Sequence, residues 1–380
     1  MAATLTRPEG LMVTAVLMVL SLVLSLGEYR QRLSYLVVAA ACWGILLALF
    51  FAWRYSYFGY LLPNTFYAKT GGGLEQIKRG ALTSALFAAQ FVGPLVPWAL
   101  VAFWETGMPR FPLRVADVVA GMRRHALVVA CLAVTTVYAT YIVVIGNDYM
   151  AMHRFFVPVL PLIYLAGTVP LALLLPSVNQ RSRLMAVAAL VAVAASLTLF
   201  HSTPLEKYFV AKLEHQHGNF QGVQIARWWA VRMALLAEFF DGYIQSPEES
   251  LGTNAIGIIG YVGDFKTYDA NGLVDVDIAH ASISPSQLAR QAGHQREDFV
   301  RVLTKKPTYV MFGKELTPTS GDIERFVPPD VWPLVQQDYV VRSVWLTDRV
   351  NGEAGYFSFF ERRDHNRSTA ATFPREKASR

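Results

Sequence analysis

Charge is what this sequence has least of. Of its 380 residues, only 16% are Asp, Glu, Lys or Arg, where a soluble domain carries about a quarter. The shortage is uneven. Nearly all the long apolar runs lie before His201, and after it charge, Gly and Pro return at ordinary density. That excludes one uniformly soluble globule and divides the chain into halves of different solvent preference. Cysteine is equally scarce. Cys42 and Cys131 both sit inside apolar runs, so no disulfide framework is available and both read as small buried hydrophobes. No Cys/His spacing suits a zinc site. The formal net charge of +6 falls largely in short loops between apolar runs and in the tail. Membrane orientation and solvation account for it there, and no nucleic-acid partner is expected. An internal repeat is also missing, and transporters usually show one.

A helix needs about 20 apolar residues to cross a bilayer. Six runs approach that length, at 11–27, 33–53, 81–104, 126–145, 155–175 and 184–200. The third carries Gln90, Pro94 and Pro97, and the fifth Pro158, Pro161 and Pro170. Kinked spans of this kind suit a bundle with an internal cavity. The expected fold is therefore a polytopic α-helical membrane protein of about six transmembrane helices, with a C-terminal α/β extracytoplasmic domain. Arg-rich short loops at 28–32, 105–125 and 176–183 alternate correctly to lie in the cytoplasm. The loops at 54–80 and 146–154, and everything after His201, then face outward. Arg54, Lys69, Lys78 and Arg79 fall on that outer side against the usual bias, which suggests a task such as pairing with phosphate.

The expected organisation is a transmembrane region at 1–201, the α/β domain at 202–361 and a disordered polar tail at 362–380. In the α/β part, Trp228, Val231, Leu235 and Phe239 recur at helical spacing. Runs at 255–261, 308–312, 339–346 and 356–360 read as strands from their β-branched and aromatic content. Gly257, Gly260 and Gly263 are in the wrong order for a dinucleotide fingerprint and read as tight turns. Asp264, Asp269, Asp275 and Asp277 lack the spacing of a calcium-binding EF-hand loop.

Two outer loops concentrate chemistry. The first, at 55–69, is rich in tyrosine and ends Leu-Pro-Asn-Thr-Phe-Tyr-Ala-Lys. Its aromatics suit the membrane interface. Pro63 starts a turn, Asn64 can bond the backbone, and Lys69 offers a cation at headgroup depth, for lipid phosphate or for plain snorkelling. The second, at 146–154, gathers Asp148, His153 and Arg154 at a membrane edge. Ionisable groups are costly there and are more often functional than elsewhere. The bland alternative is a solvated turn with an Asp–Arg pair of little consequence. Arg-Pro-Glu-Gly at 7–10 precedes the first run, as at an ordinary helix start.

In this order the segments resemble the GT-C class of polytopic glycosyltransferases that use polyprenyl-phosphate sugars, nearest the terminal arabinofuranosyltransferase-like branch of actinobacterial cell walls. The matching segments are Arg-Pro-Glu-Gly at 7–10, the Leu-Pro-Asn-Thr loop at 62–69, Gly-Asn-Asp-Tyr-Met at the head of 146–155, and the Gly-rich segment at 257–275 that ends Gly-Leu-Val-Asp. The resemblance implies transfer of a sugar such as arabinofuranose from a polyprenyl-phosphate donor to a glycan acceptor at the outer leaflet of the plasma membrane, in contact with membrane lipid. Asn64, Tyr67, Lys69, Asp148, His153 and Arg154 become the expected substrate-binding set, with Lys69 and Arg154 on the phosphate. Asp148 and His153 would suit acceptor positioning or contact with a divalent cation. The family carries its key carboxylates in a loop upstream of Arg-Pro-Glu-Gly, which here begins at residue 7. The resemblance thus implies that the catalytic base lies outside these residues, with Asp148 as the weak substitute. A flippase for lipid-linked sugar and a non-catalytic scaffold are the competing readings.

Overall fold

The computed structural model describes residues 4–5, 9–25, 30–93, 115–146, 153–174, 180, 223–288, 290 and 293–365. The chain forms two compact units. One comprises Met1–Leu61 with Gly73–Phe220, and the other Leu62–Gly72 with Gln221–Arg380. The expected boundary at 201/202 and residues 366–380 of the tail expected at 362–380 lie outside the described residues, whereas Arg362 ends a strand.

The first unit is helical: α1 (Glu9–Ser25), α2 (Arg30–Phe58), then, after a short helix α3 (Asn64–Lys69) that belongs to the second unit, α4 (Gly73–Phe87), α5 (Val115–Arg124), α6 (Ala126–Ile145) and α7 (Leu160–Leu174). The expectation of six spans is corrected here. Among the described residues, two helices are long and apolar enough to cross a membrane, Leu33–Phe58 and Ala126–Ile145. The reason is length and composition. At about 1.5 Å per residue, the 17 residues of α1 reach roughly 25 Å against a hydrocarbon core of about 30 Å. The α7 helix is shorter still, at 15 residues. The run at 81–104 begins inside α4, whose own face buries the polar Gln76 and Arg79, and its remainder past Gly93 lies outside the described residues, as does the run at 184–200. Leu33–Phe58 buries 0% of its apolar window, leaving Val37, Val38, Ile45 and Leu49 exposed. Such a face suits lipid rather than a protein core, and it places the chain in association with a membrane.

Helices α4 and α6 approach closely through a glycine. A Cβ on Gly80 would lie 2.3 Å from the carbonyl oxygen of Val143, so only hydrogen fits there, as in small-residue helix contacts within membranes. The same face carries Gln76, whose Nε2 donates to Val144 O at 2.8 Å, and Arg79, whose Nε donates to Gly146 O at 3.2 Å. These donors satisfy carbonyls that the end of α6 leaves without intrahelical partners. Gly80→Ala is expected to cost about 1–3 kcal/mol, as overpacking against backbone does. Thermal unfolding in detergent reads this, and an unchanged midpoint would show that the helices separate freely at this point.

The second unit is α/β. Helix α8 (Val223–Tyr243) leads to β1 (Ser250–Thr253), α9 (Ile256–Val262), β2 (Lys266–Asp269), α10 (Val276–Ala279), α11 (Phe299–Thr304), β3 (Tyr309–Met311), α12 (Trp332–Asp338), β4 (Tyr339–Asp348) and β5 (Glu353–Arg362). The strands make one mixed sheet in the order β2-β1-β3-β5-β4. β1 pairs in parallel with both β2 and β3, and β5 runs antiparallel to β3 and β4. Alternation along the strands feeds two cores. Val310 and Phe360 point to one with Ile278, Phe299 and Val302. Tyr309, Met311 and Phe359 point to the other with Met233, Phe240 and Ile259. Helices thus cover both faces, which is why β1 is buried at all four residues.

The strand expected at 255–261 is a helix, α9, and the true strand lies just before it. A short apolar run fits either state by pattern. Thr253 decides the turn: its Oγ1 accepts from Ala255 N at 3.0 Å. Gly257 and Gly260 lie within α9 and Gly263 caps it, so they are not the tight turns expected. β2 has no counterpart among the expected strands.

Candidate functional site

Parallel strands converge their C-terminal ends on one edge of the sheet. The chain passes from β1 to β2 on one side and then crosses back over β1 to β3 on the other, and the crevice at such a reversal, between β1 and β3, is the position where open α/β sheets bind ligands.

The Leu-Pro-Asn-Thr segment docks on the loop after β2. Asn64 Nδ2 donates to Gly272 O at 2.9 Å and to Leu273 O at 3.2 Å. The Tyr67 ring lies 4.2 Å from that of His280. Arg296 secures the end of α3: its Nη1 donates to Tyr67 O at 2.6 Å, to Ala68 O at 3.3 Å and also to Thr70 O, while Nε holds Ala281 O at 2.8 Å. A cation there satisfies the free carbonyls of a helix C-terminus. Burial pulls the Arg296 guanidinium down from its ordinary value. Gly71 makes the approach possible, since its φ is +100° and a Cβ there would meet Arg296 Nη2 at 2.7 Å. The loop's own shape comes from Asp269, which is 1% exposed and accepts from Asn271 N at 2.9 Å and Val274 N at 3.0 Å. Burial pushes the Asp269 carboxyl up, against those backbone donors.

A second polar group sits at the crevice itself. Asn254, directly after β1, donates Nδ2 to Glu297 Oε1 at 2.6 Å and accepts at its carbonyl from Asn271 Nδ2, also at 2.6 Å. The side-chain oxygens of Asn254 and Asn271 are enclosed and have no hydrogen-bond partner among the described residues. Lys314, three residues past β3, has its Nζ 5.9 Å from the centre of the Trp229 ring. Burial pulls the Lys314 ammonium down, and the charges of Glu315 and Glu297 oppose this. Glu297 also borders a half-open cleft of about 510 Å³ with Arg290, Asp298, Arg301 and Asp330. The cations there are already engaged: Arg290 donates to Glu297 O at 2.9 Å and Arg301 to Asp277 O at 2.8 Å. Among the described residues, no group of three or more His, Cys, Asp or Glu is placed to hold a metal ion.

The structure therefore brings Asn64, Tyr67 and Lys69 together on α3, with Lys69 carbons against Gly293. His153 and Arg154 belong to the other unit. There His153, at φ 46°, packs edge-on to Phe87 and Phe91 at 5.7 and 6.1 Å. The exposed Arg154 lies 5.6 Å over Phe155. Asp148 lies outside the described residues. Of the other cations expected on the outer side, Lys78 pairs with Glu75 at 2.7 Å, Arg79 caps α6, and Arg54 lies 5.1 Å over Phe58. Asn254, Asn271, Arg296, Glu297 and Lys314 were not foreseen. Their signal is positional: Asn254, Asn271 and Lys314 follow strand ends closely, and misplacing β1 and missing β2 hid it.

The sequence model of one family, described as "Domain of unknown function (DUF8728)", matches residues 212–365, less than half of the chain. No curated protein and no solved structure matches.

Proposed function

We propose that this chain acts as a membrane-anchored glycosyltransferase of GT-C type, moving a sugar such as arabinofuranose from a polyprenyl-phosphate donor to a cell-envelope glycan. In this reading the α/β domain works on the outer face of the plasma membrane. The observation that carries it is the bond from Asn64 to the carbonyls of Gly272 and Leu273. The Leu-Pro-Asn-Thr and Gly-Leu-Val-Asp segments, which the resemblance assigns to one enzyme, meet in one surface although they are 208 residues apart. Two apolar helices of spanning length support the lipid-linked donor. Lys69 is the phosphate partner in this reading, with stabilisation of the leaving phosphate as its role.

Binding of a polyprenyl-phosphate sugar to the full chain in lipid nanodiscs tests this. Lys69→Ala is expected to weaken donor binding several-fold. Arg154, in the other unit, is exposed, and Arg154→Ala should shift the unfolding midpoint little, since an exposed charge contributes little to stability. Saturable donor binding supports the reading, and transfer to an arabinan acceptor that Asp148→Asn abolishes would make Asp148 the base. Binding that ignores Lys69→Ala removes Lys69 from the reading, and absence of donor binding overturns it.

A further inference from the structure

The two edges of the sheet are guarded unequally. β2, at one edge, has four residues and opens on Lys266, and natural proteins blunt their edges with short strands and lysines of this kind. β4, at the other edge, runs for ten residues, Tyr339–Asp348, in a register with β5 that no bulge interrupts. It contains neither proline nor glycine. Between Val340 and Thr347, the backbone groups on the side away from β5 have no hydrogen-bond partner among the described residues. Trp345 is 57% exposed and Val341 39%, and the Trp345 ring stands edge-on to Tyr356 at 5.0 Å. An open edge of this length invites pairing with another strand.

We propose that β4 is a homodimer interface, pairing antiparallel with β4 of a second copy about a two-fold axis through Trp345, so that the two sheets become one. The strand's own sequence selects this partner and this register. A two-fold axis normal to the sheet keeps every side chain on its own face, so even-numbered residues meet even-numbered ones. Centred on Trp345, Arg342 lies opposite Asp348, Ser343 opposite Thr347 and Val344 opposite Leu346. Charge then meets opposite charge, hydroxyl meets hydroxyl and aliphatic meets aliphatic. The neighbouring centres lack this match. On Val344 or Leu346, Arg342 would face Leu346 or Val350; on Ser343, Asp348 would face Asp338; on Arg342, the arginine would face itself. Arg342 is available, its side chain being 54% exposed beside Glu361. Asp348 is shielded from water, which strengthens the attraction. Trp345 meets its own copy across the axis, as an aromatic anchor at the centre of an interface. A bilayer cannot cover this edge, because hydrocarbon offers nothing to the open backbone groups. A foreign strand would satisfy the backbone without the match of side chains. The interface concerns the α/β domain and does not depend on sugar transfer.

Sedimentation equilibrium of the full chain in density-matched detergent micelles is expected to show a dimer at micromolar concentration. Trp345→Lys and Trp345→Glu should each weaken it at least about tenfold, since each removes an interface tryptophan and sets like charges opposite one another. Mixing the two variants should restore the dimer, because the lysine of one then faces the glutamate of the other. Thermal unfolding of each variant separates lost pairing from lost folding. Cross-linking reads the register, in a chain carrying Cys42→Ala and Cys131→Ala so that no native thiol competes. Trp345→Cys should form an intermolecular disulfide under mild oxidation, because paired Cα atoms lie about 5 Å apart, within disulfide reach. Val341→Cys, exposed on the same face, should not. It faces Arg349 of the second copy, which leaves the two cysteines roughly 27 Å apart. A native chain that stays monomeric, a dimer that both charged variants retain, or cross-linking of Val341→Cys as ready as that of Trp345→Cys would each overturn the proposal.

Discussion

Replacing Arg232 with alanine is expected to destabilise the α/β domain by about 3–5 kcal/mol, the cost of breaking a buried ion pair from one side. Arg232 is 0% exposed in the middle of α8. Its Nε bonds Asp348 at 3.0 Å, its Nη2 bonds Glu353 at 2.6 Å and its Nη1 donates to Lys314 O at 3.2 Å. It thereby ties α8 to the turn of the β4–β5 hairpin, with the Trp228 ring at 5.0 Å on its face. Removal leaves Asp348 buried, at 2% exposure, with Asn351 as its remaining hydrogen-bond donor among the described residues. Denaturant unfolding followed by α/β-domain tryptophan fluorescence measures the effect. A loss below about 1 kcal/mol would mean that water replaces the arginine, as at a surface pair. The effect depends on pH with a definite sign. Burial would raise the Asp348 carboxyl, but bonds from Asn351 and Arg232 outweigh it and hold it below its ordinary value. Bonds from Arg232 and Trp228 hold Glu353 down likewise. Depressed carboxylates stabilise fully above their unfolded values, about 4, and lose that contribution as pH falls through their folded ones. The gap between native and variant chains should therefore narrow in acid.

Asn64→Asp is expected to cost about 3–4 kcal/mol and to free the segment around α3. The substitution removes two hydrogen bonds to Gly272 and Leu273 and turns a carboxylate toward the same two carbonyl oxygens, an unpaired charge where a donor was required. Asn64→Ala removes the bonds without adding the charge and should cost less, about 1–2 kcal/mol. Limited proteolysis between Tyr60 and Gly73 reads the release, and equal resistance of all three chains would show that Asn64 does not hold the segment.

What the sequence revealed of this molecule depended on composition more than on element length. The three-residue β3 and the ten-residue β4 and β5 fall on runs that β-branched and aromatic content marked, and α8, twenty-one residues, covers the run that helical spacing marked. β1 and β2 have four residues each, too few to show a period, and β1 has a glycine at its centre. Gly252 is there because Val302 and Pro307 crowd its position, with a Cβ 2.7 Å from Val302 Cγ1, and that contact joins segments far apart in sequence. The spans were over-counted because apolar composition was read without the helix lengths that packing sets. Asn64, Tyr67 and Lys69 stood out as unusual residue types on a predicted outer loop. Their partners did not, because Arg296 acts on backbone carbonyls, which leave no trace in side-chain chemistry. Glu297 and Lys314 look like ordinary surface charges until the strand order brings their loops to one edge.

Hydrogen exchange on the full chain in nanodiscs, followed by mass spectrometry over Leu62–Gly72, tests most directly whether the tyrosine-rich motif is built into the α/β domain. That segment should be protected to a degree comparable with β1. In Asn64→Asp it should exchange as an exposed loop does, while β1 keeps its protection. A segment that exchanges as a free loop in the native chain would contradict the docking, and with it the joined surface on which the proposed function rests.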